Sequence, residues 1–114
     1  MKYIDVNCPV QQYDGTPWMQ ADKVVTVKDL LITELGRFKP DEKTNAIDPE
    51  KVWKLIQKVG TYEGESGFED AETELLDLLL RLNHGGIPGW ATGQVIKMLK
   101  NAPEEPSETS PESE

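Results

Sequence analysis

Between Asp70 and Leu82 this chain places six leucines, and Asn83-His84-Gly85-Gly86 follows as a helix stop. Projected at about 100° per residue, Leu75, Leu76, Leu78, Leu79, Leu80 and Leu82 spread over roughly 200°, against the roughly 100° stripe of an ordinary surface helix. Such a helix needs apolar neighbours on two sides. They come either from other helices of the same chain or from a second copy across a two-fold axis. The segment carries no paired catalytic groups, no metal-ligand spacing and no phosphate-binding loop, so it speaks of contact rather than chemistry.

A chain of 114 residues suffices for one domain with a single modest core. From Ala102 to Glu114 there is no large apolar and no basic residue, the composition of a segment that buries too little to offset its ordering entropy. The expected organisation is therefore one α+β domain over 1–101 and a disordered acidic tail over 102–114. The net charge of −9 divides unevenly: the tail holds five glutamates, and the body holds 16 acids against 12 bases. Glu63, Glu65, Glu69, Asp70, Glu72, Glu74 and Asp77 fall in a run with no Lys or Arg. Phosphate backbones are repelled by such a face, which argues against direct nucleic-acid binding.

Cys8 stands alone and has no internal disulfide partner, and no signal-peptide pattern opens the chain, so a reducing cytoplasmic location is expected. Asp77 and Arg81 interrupt the longest apolar run, which falls well short of a membrane span.

The opening Lys2 to Asn7 alternates and is rich in β-formers, and Pro9 limits it to a short edge strand. Tyr13-Asp14-Gly15-Thr16-Pro17 is a turn, with Trp18-Met19 and Val24-Val25-Thr26 beyond it, which together predict a hairpin-like flap. Thr26 and Asp29 form a capping-box variant ahead of Val27, Leu30, Leu31 and Leu35, giving a first helix over 27–36. A polar loop from Lys39 to Ile47 leads to Asp48-Pro49-Glu50, where Asp caps, Pro takes the first helical position and Glu favours the dipole.

The second helix buries Val52, Leu55, Ile56 and Val59, presents Lys51, Lys54 and Lys58 on the other side, and stops at Gly60. Tyr62 to Phe68 is predicted as a loop with a flexible turn at Gly64 to Gly67, and Asp70 as the cap of the third helix. The fourth begins after Pro88-Gly89, with Ala91, Val95, Ile96, Met98 and Leu99 inward.

His84, the single histidine, lies at a helix C-terminus, where an imidazolium suits the dipole; no Ser, Cys or second His completes a nucleophile and base. One His, one distant Cys and scattered carboxylates match no zinc spacing, and the acidic run lacks the alternating oxygen ligands of a calcium loop. Gly64-Glu65-Ser66-Gly67 is one residue short of a serine-nucleophile elbow. No catalytic, cofactor-binding or metal-binding residue is expected, and no cofactor.

Three tryptophans exceed what a small core requires, and indoles are preferred anchors of binding surfaces. Trp53 lies at the margin of the second helix's apolar face, Trp90 outside the inward arc of the fourth, and Trp18 just after a turn proline.

The order of features carries a resemblance: Tyr3-Ile4-Asp5-Val6-Asn7-Cys8-Pro9-Val10 with Tyr13-Asp14-Gly15-Thr16-Pro17, then Val25 to Leu31, Asp70 to Leu76, and Gly93 to Leu99. Over residues 1–101 the chain resembles a group of small bacteriophage and prophage proteins of about 100 residues, most of them uncharacterised. No activity transfers with the resemblance. It implies a phage-encoded accessory protein that acts by binding host machinery or a phage protein during assembly.

The expected fold is thus an N-terminal β-hairpin or flap packed on a compact set of about four helices. The expected function is non-enzymatic protein binding, with Trp90, Trp53, Trp18, Leu79 and Met98 as candidate contacts and a homodimer as one possible assembly. Two alternatives are an acidic mimic of nucleic acid, presenting Glu69, Glu72 and Asp77 to a DNA-binding host protein, and an assembly chaperone for a phage structural protein.

Overall fold

A computed structural model describes residues 1–40, 42 and 46–104. Within the polar loop expected from Lys39 to Ile47, residues 41 and 43–45 lie outside the described residues, as do residues 105–114 of the expected tail. The elements run β1 (Lys2–Asp5), β2 (Met19–Gln20), β3 (Lys23–Val24), α1 (Val27–Gly36), α2 (Pro49–Thr61), β4 (Glu65–Phe68), α3 (Asp70–Leu82) and α4 (Gly89–Asn101). The fold is α+β, with small antiparallel pairs set against four helices among the described residues, as the sequence predicts.

Helix starts follow their caps. At α1, Thr26 Oγ1 accepts the Asp29 N–H at 3.3 Å and Asp29 Oδ2 accepts the Thr26 N–H at 3.1 Å, a reciprocal capping box. At α2, Asp48 Oδ1 accepts the Glu50 N–H at 2.9 Å ahead of Pro49. The ends differ by a residue from expectation. Helix α2 runs through Gly60 to Thr61, and α3 is capped by Glu69, whose N–H donates to Glu72 Oε1 at 2.8 Å, rather than by Asp70.

The stretch 62–68, expected as a loop, contains β4, which pairs antiparallel with β1 in the register Lys2↔Phe68 to Asp5↔Glu65. Alternation explains the pairing: Ile4 and Val6 from one side and Ser66 and Phe68 from the other turn into the core, and Phe68 stands edge-on to Tyr62 at 5.2 Å. On the far side of β1, the Tyr3 N–H donates to the Pro103 carbonyl at 2.9 Å. Ala102 packs on the core, so the folded chain runs past the expected boundary at Asn101.

The flap is a ribbon. Val10 N–H donates to Val25 O, Trp18 N–H to Val10 O and Val25 N–H to Trp18 O, each at 2.8 Å, and β2 pairs with β3 at the tip. Below it, α1 is the central helix, against which α2 and α3 both pack, while α4 lies against α3 and β1. Val6, Val10, Leu30, Leu31, Val59, Phe68, Leu76, Leu80 and Val95 fill the space between them.

His84 does not cap the dipole of α3 as expected. Asn83 ends that helix in the left-handed conformation and clasps Ile87, accepting its N–H at 2.9 Å and donating to its carbonyl at 2.7 Å. His84 instead stacks on Phe38 at 5.6 Å, and its Nδ1 accepts the Lys39 N–H at 3.2 Å, tying the segment after α1 to the segment after α3.

Candidate interaction surfaces

The wide leucine arc of α3 divides in two. Leu76, Leu79 and Leu80 are buried against α1 and α4, while Leu75 and Leu82 are half-buried and Leu78 is 44% exposed. Leu79, expected as a contact residue, is therefore corrected to a core residue: at 2% exposure it offers a partner nothing. It lies at the middle of the arc, on the side that the rest of the chain covers.

Leu75 and Leu78 line an open trough between α2 and α3. One section, about 250 Å³, is bounded by Lys51, Lys54, Leu55, Lys58, Ala71, Glu72 and Leu75. The next, about 270 Å³, shares Lys51, Ala71 and Leu75 and continues past Ile47, Glu74 and Leu78. The lysines expected on the solvent side of α2 thus form one wall of an apolar trough.

Their charges are unequally used. Lys58 donates to Glu72 Oε1 at 2.8 Å. Burial works against its charge, yet the Glu72 carboxylate and the neighbouring Tyr62 together hold the ammonium above its ordinary pKa. Lys54 meets Glu50 only at 3.7 Å, and Lys51 pairs with no described residue.

The three tryptophans separate into a pair and a singleton. Trp18 on the flap and Trp90 at the start of α4 meet edge to face, 5.1 Å between ring centroids, and both are half-buried. Beside them, Gln94 treats the flap as a neighbouring strand would: its Oε1 accepts the Gln11 N–H at 3.0 Å, and its Nε2 donates to the carbonyls of Gln11 and Trp90. Trp18 and Trp90 rivet the flap to α4. Trp53 stands apart on α2, 58% exposed.

Met98 is half-buried in a third feature, a groove of about 410 Å³ between the flap and α4, lined also by Cys8, Pro9, Val10 and Val95. Burial, reinforced by the nearby Asp5 carboxylate, pushes the Cys8 thiol pKa up.

Of the expected acidic face, Glu72 caps α3 and pairs with Lys58, Asp77 Oδ2 accepts from Arg81 Nε at 3.0 Å, and Glu69 is exposed at the start of α3.

Two features escaped sequence reasoning. Tyr13, at the turn before Gly15, is 83% exposed. Glu34 is 2% exposed in the core of α1; its Oε1 accepts the Gly85 N–H at 3.1 Å, and its Oε2 has no hydrogen-bond partner among the described residues. Desolvation raises its pKa, against the opposing pull of the Gly85 N–H and Arg37. A signal was present: in the pattern Val27, Leu30, Leu31, Leu35, position 34 falls inside the apolar face.

Among the described residues, no helix is long and apolar enough to cross a membrane. Comparison with protein-family models, with curated proteins and with solved structures finds no match to this chain.

Proposed function

We propose that this protein is a non-enzymatic accessory protein of the phage type, acting in the bacterial cytoplasm by gripping a host or phage protein. The observation that carries the reading is Trp53: a large indole, more than half exposed, on a helix whose inward face of Val52, Leu55 and Val59 is already complete. Folding gains little from leaving that side chain in water, whereas exposed aromatic residues are the usual anchors of protein interfaces. The nucleic-acid-mimic alternative draws less support, because Glu72 and Asp77 are each paired with a cation of their own chain.

The test is a photo-reactive amino acid placed at Trp53, with a second at the exposed Lys23 as control, in bacteria producing the full chain. A discrete protein adduct from position 53, absent from position 23 and competed by untagged wild type but at least tenfold less by Trp53→Ala, supports the reading. Equal competition by Trp53→Ala, or no adduct from position 53, overturns it.

A further inference from the structure

We propose that the outward stripe of α3 is a self-association seam, in which a second copy of this chain lays its own α3 antiparallel along the trough between α2 and α3. The stripe consists of Ala71, Leu75, Leu78 and Leu82, spaced four, three and four residues apart. At about 100° per residue these four fall within roughly 60° of one another, the narrow seam of a helix made to pack on another helix. Leu78 is the most exposed leucine on it, and Leu75 and Leu82 are only half covered by their own chain.

The spacing reads the same in both directions. An antiparallel mate therefore sets Leu75 against Leu78 of the copy and the small Ala71 against Leu82 of the copy, and two-fold symmetry repeats each contact. A seam that matches its own reverse is complementary to itself without any further sequence requirement.

Charge points to the same occupant. Each α3 carries exposed Asp70 and Glu74 beside the stripe, in a stretch of acids without a base. Two such helices would repel if nothing else stood near. The exposed Arg81 stands on the same flank of α3, and the two-fold brings the copy's Arg81 level with position 72, between Asp70 and Glu74, where it supplies the opposite sign. An antiparallel copy of α3 therefore meets the acids of this flank with its own base.

The seam spans only about 16 Å of helix, so association is weak and is sought at high concentration. The inference stands independently of Trp53, which lies on another side of α2. The experiment is sedimentation equilibrium of the full chain from about 5 to 500 µM, with amide NMR shifts followed on dilution. The average mass is expected to climb from 12.8 kDa toward its double. Shifts should concentrate at Ala71, Leu75, Leu78, Leu82, Lys51 and Lys54. Leu78→Lys, at an exposed position and checked for an unchanged melting temperature, should raise the dissociation constant at least tenfold. Arg81→Glu should raise it as well, and added salt should weaken the wild type in the same direction.

A mass of 12.8 kDa throughout overturns the proposal, as does a dimer indifferent to Leu78→Lys or one whose shifts lie elsewhere. A monomer that nevertheless takes up a synthetic acid-flanked leucine helix in this trough also overturns it, and assigns the trough to another protein.

Discussion

Gly85 makes room for Glu34. The Gly85 N–H donates to Glu34 Oε1 at 3.1 Å, and a Cβ added at position 85 would collide with that same oxygen. A loop between α3 and α4 and a carboxylate in the middle of α1 are thereby fitted to one another, with Arg37 Nη1 closing the contact on the Gly85 carbonyl at 3.3 Å.

Gly85→Ala should therefore destabilise the fold by about 2 kcal/mol, since the methyl displaces a buried carboxylate that has little space to retreat. Urea unfolding of the variant against wild type checks it, and an unchanged midpoint would mean that the loop shifts freely.

Glu34 makes stability depend on pH in a definite direction. Its folded-state pKa is raised above the ordinary glutamate value, so the folded protein holds this proton more tightly than the unfolded chain. Its contribution is most favourable below the unfolded pKa, declines as pH rises through the window up to the raised folded value, and stays at its least favourable beyond. Glu34→Gln keeps an acceptor for the Gly85 N–H without the charge. The stability of the variant relative to wild type should grow across that window and then level off. Paired thermal melts from pH 4 to pH 8 test this, and parallel curves would remove Glu34 from the account.

Trp53 and Trp90 should part company on truncation. Trp53→Ala is expected to change stability by less than about 0.5 kcal/mol, as for other exposed sites. Trp90→Ala removes half-buried area and the edge-to-face contact with Trp18, and should cost about 2 kcal/mol. Comparable losses in urea unfolding would contradict the division into rivet and free anchor.

Gln94→Ala should loosen the flap without unfolding the helices. The amide of Gln94 meets both backbone groups of Gln11, and its removal should speed exchange of the Gln11 N–H at least tenfold while amides inside α1 stay protected. Hydrogen exchange read by NMR distinguishes this from global destabilisation, in which all sites accelerate together.

What the sequence made legible was local. Thr26 with Asp29, and Asp48 with Pro49, announce helix starts because every participating atom lies within a few residues. Strand β4 was hidden because Glu65-Ser66-Gly67-Phe68 has no strong strand preference of its own and becomes a strand only by pairing with β1, some sixty positions earlier. The leucine arc of α3 announced more apolar surface than one inward stripe uses, but which leucine faces which depends on where α1 and α4 settle. That choice buried Leu79 and left Leu78 in solvent. Trp18 and Trp90 could not be paired in advance, since the flap is tied to α4 through Gln11 and Gln94, which are far apart in the chain. Lys58 was read as part of a solvated stripe, because its partner Glu72 belongs to another helix.

The Pro103 carbonyl that meets the Tyr3 N–H occupies the one flank of β1 that β4 does not. A truncation at Asn101, which preserves all of α4, would strip that cover and leave an unpaired amide ready to recruit strands from other molecules. Shortened forms of this protein are better ended after Glu104, which keeps the Pro103 carbonyl on the Tyr3 N–H.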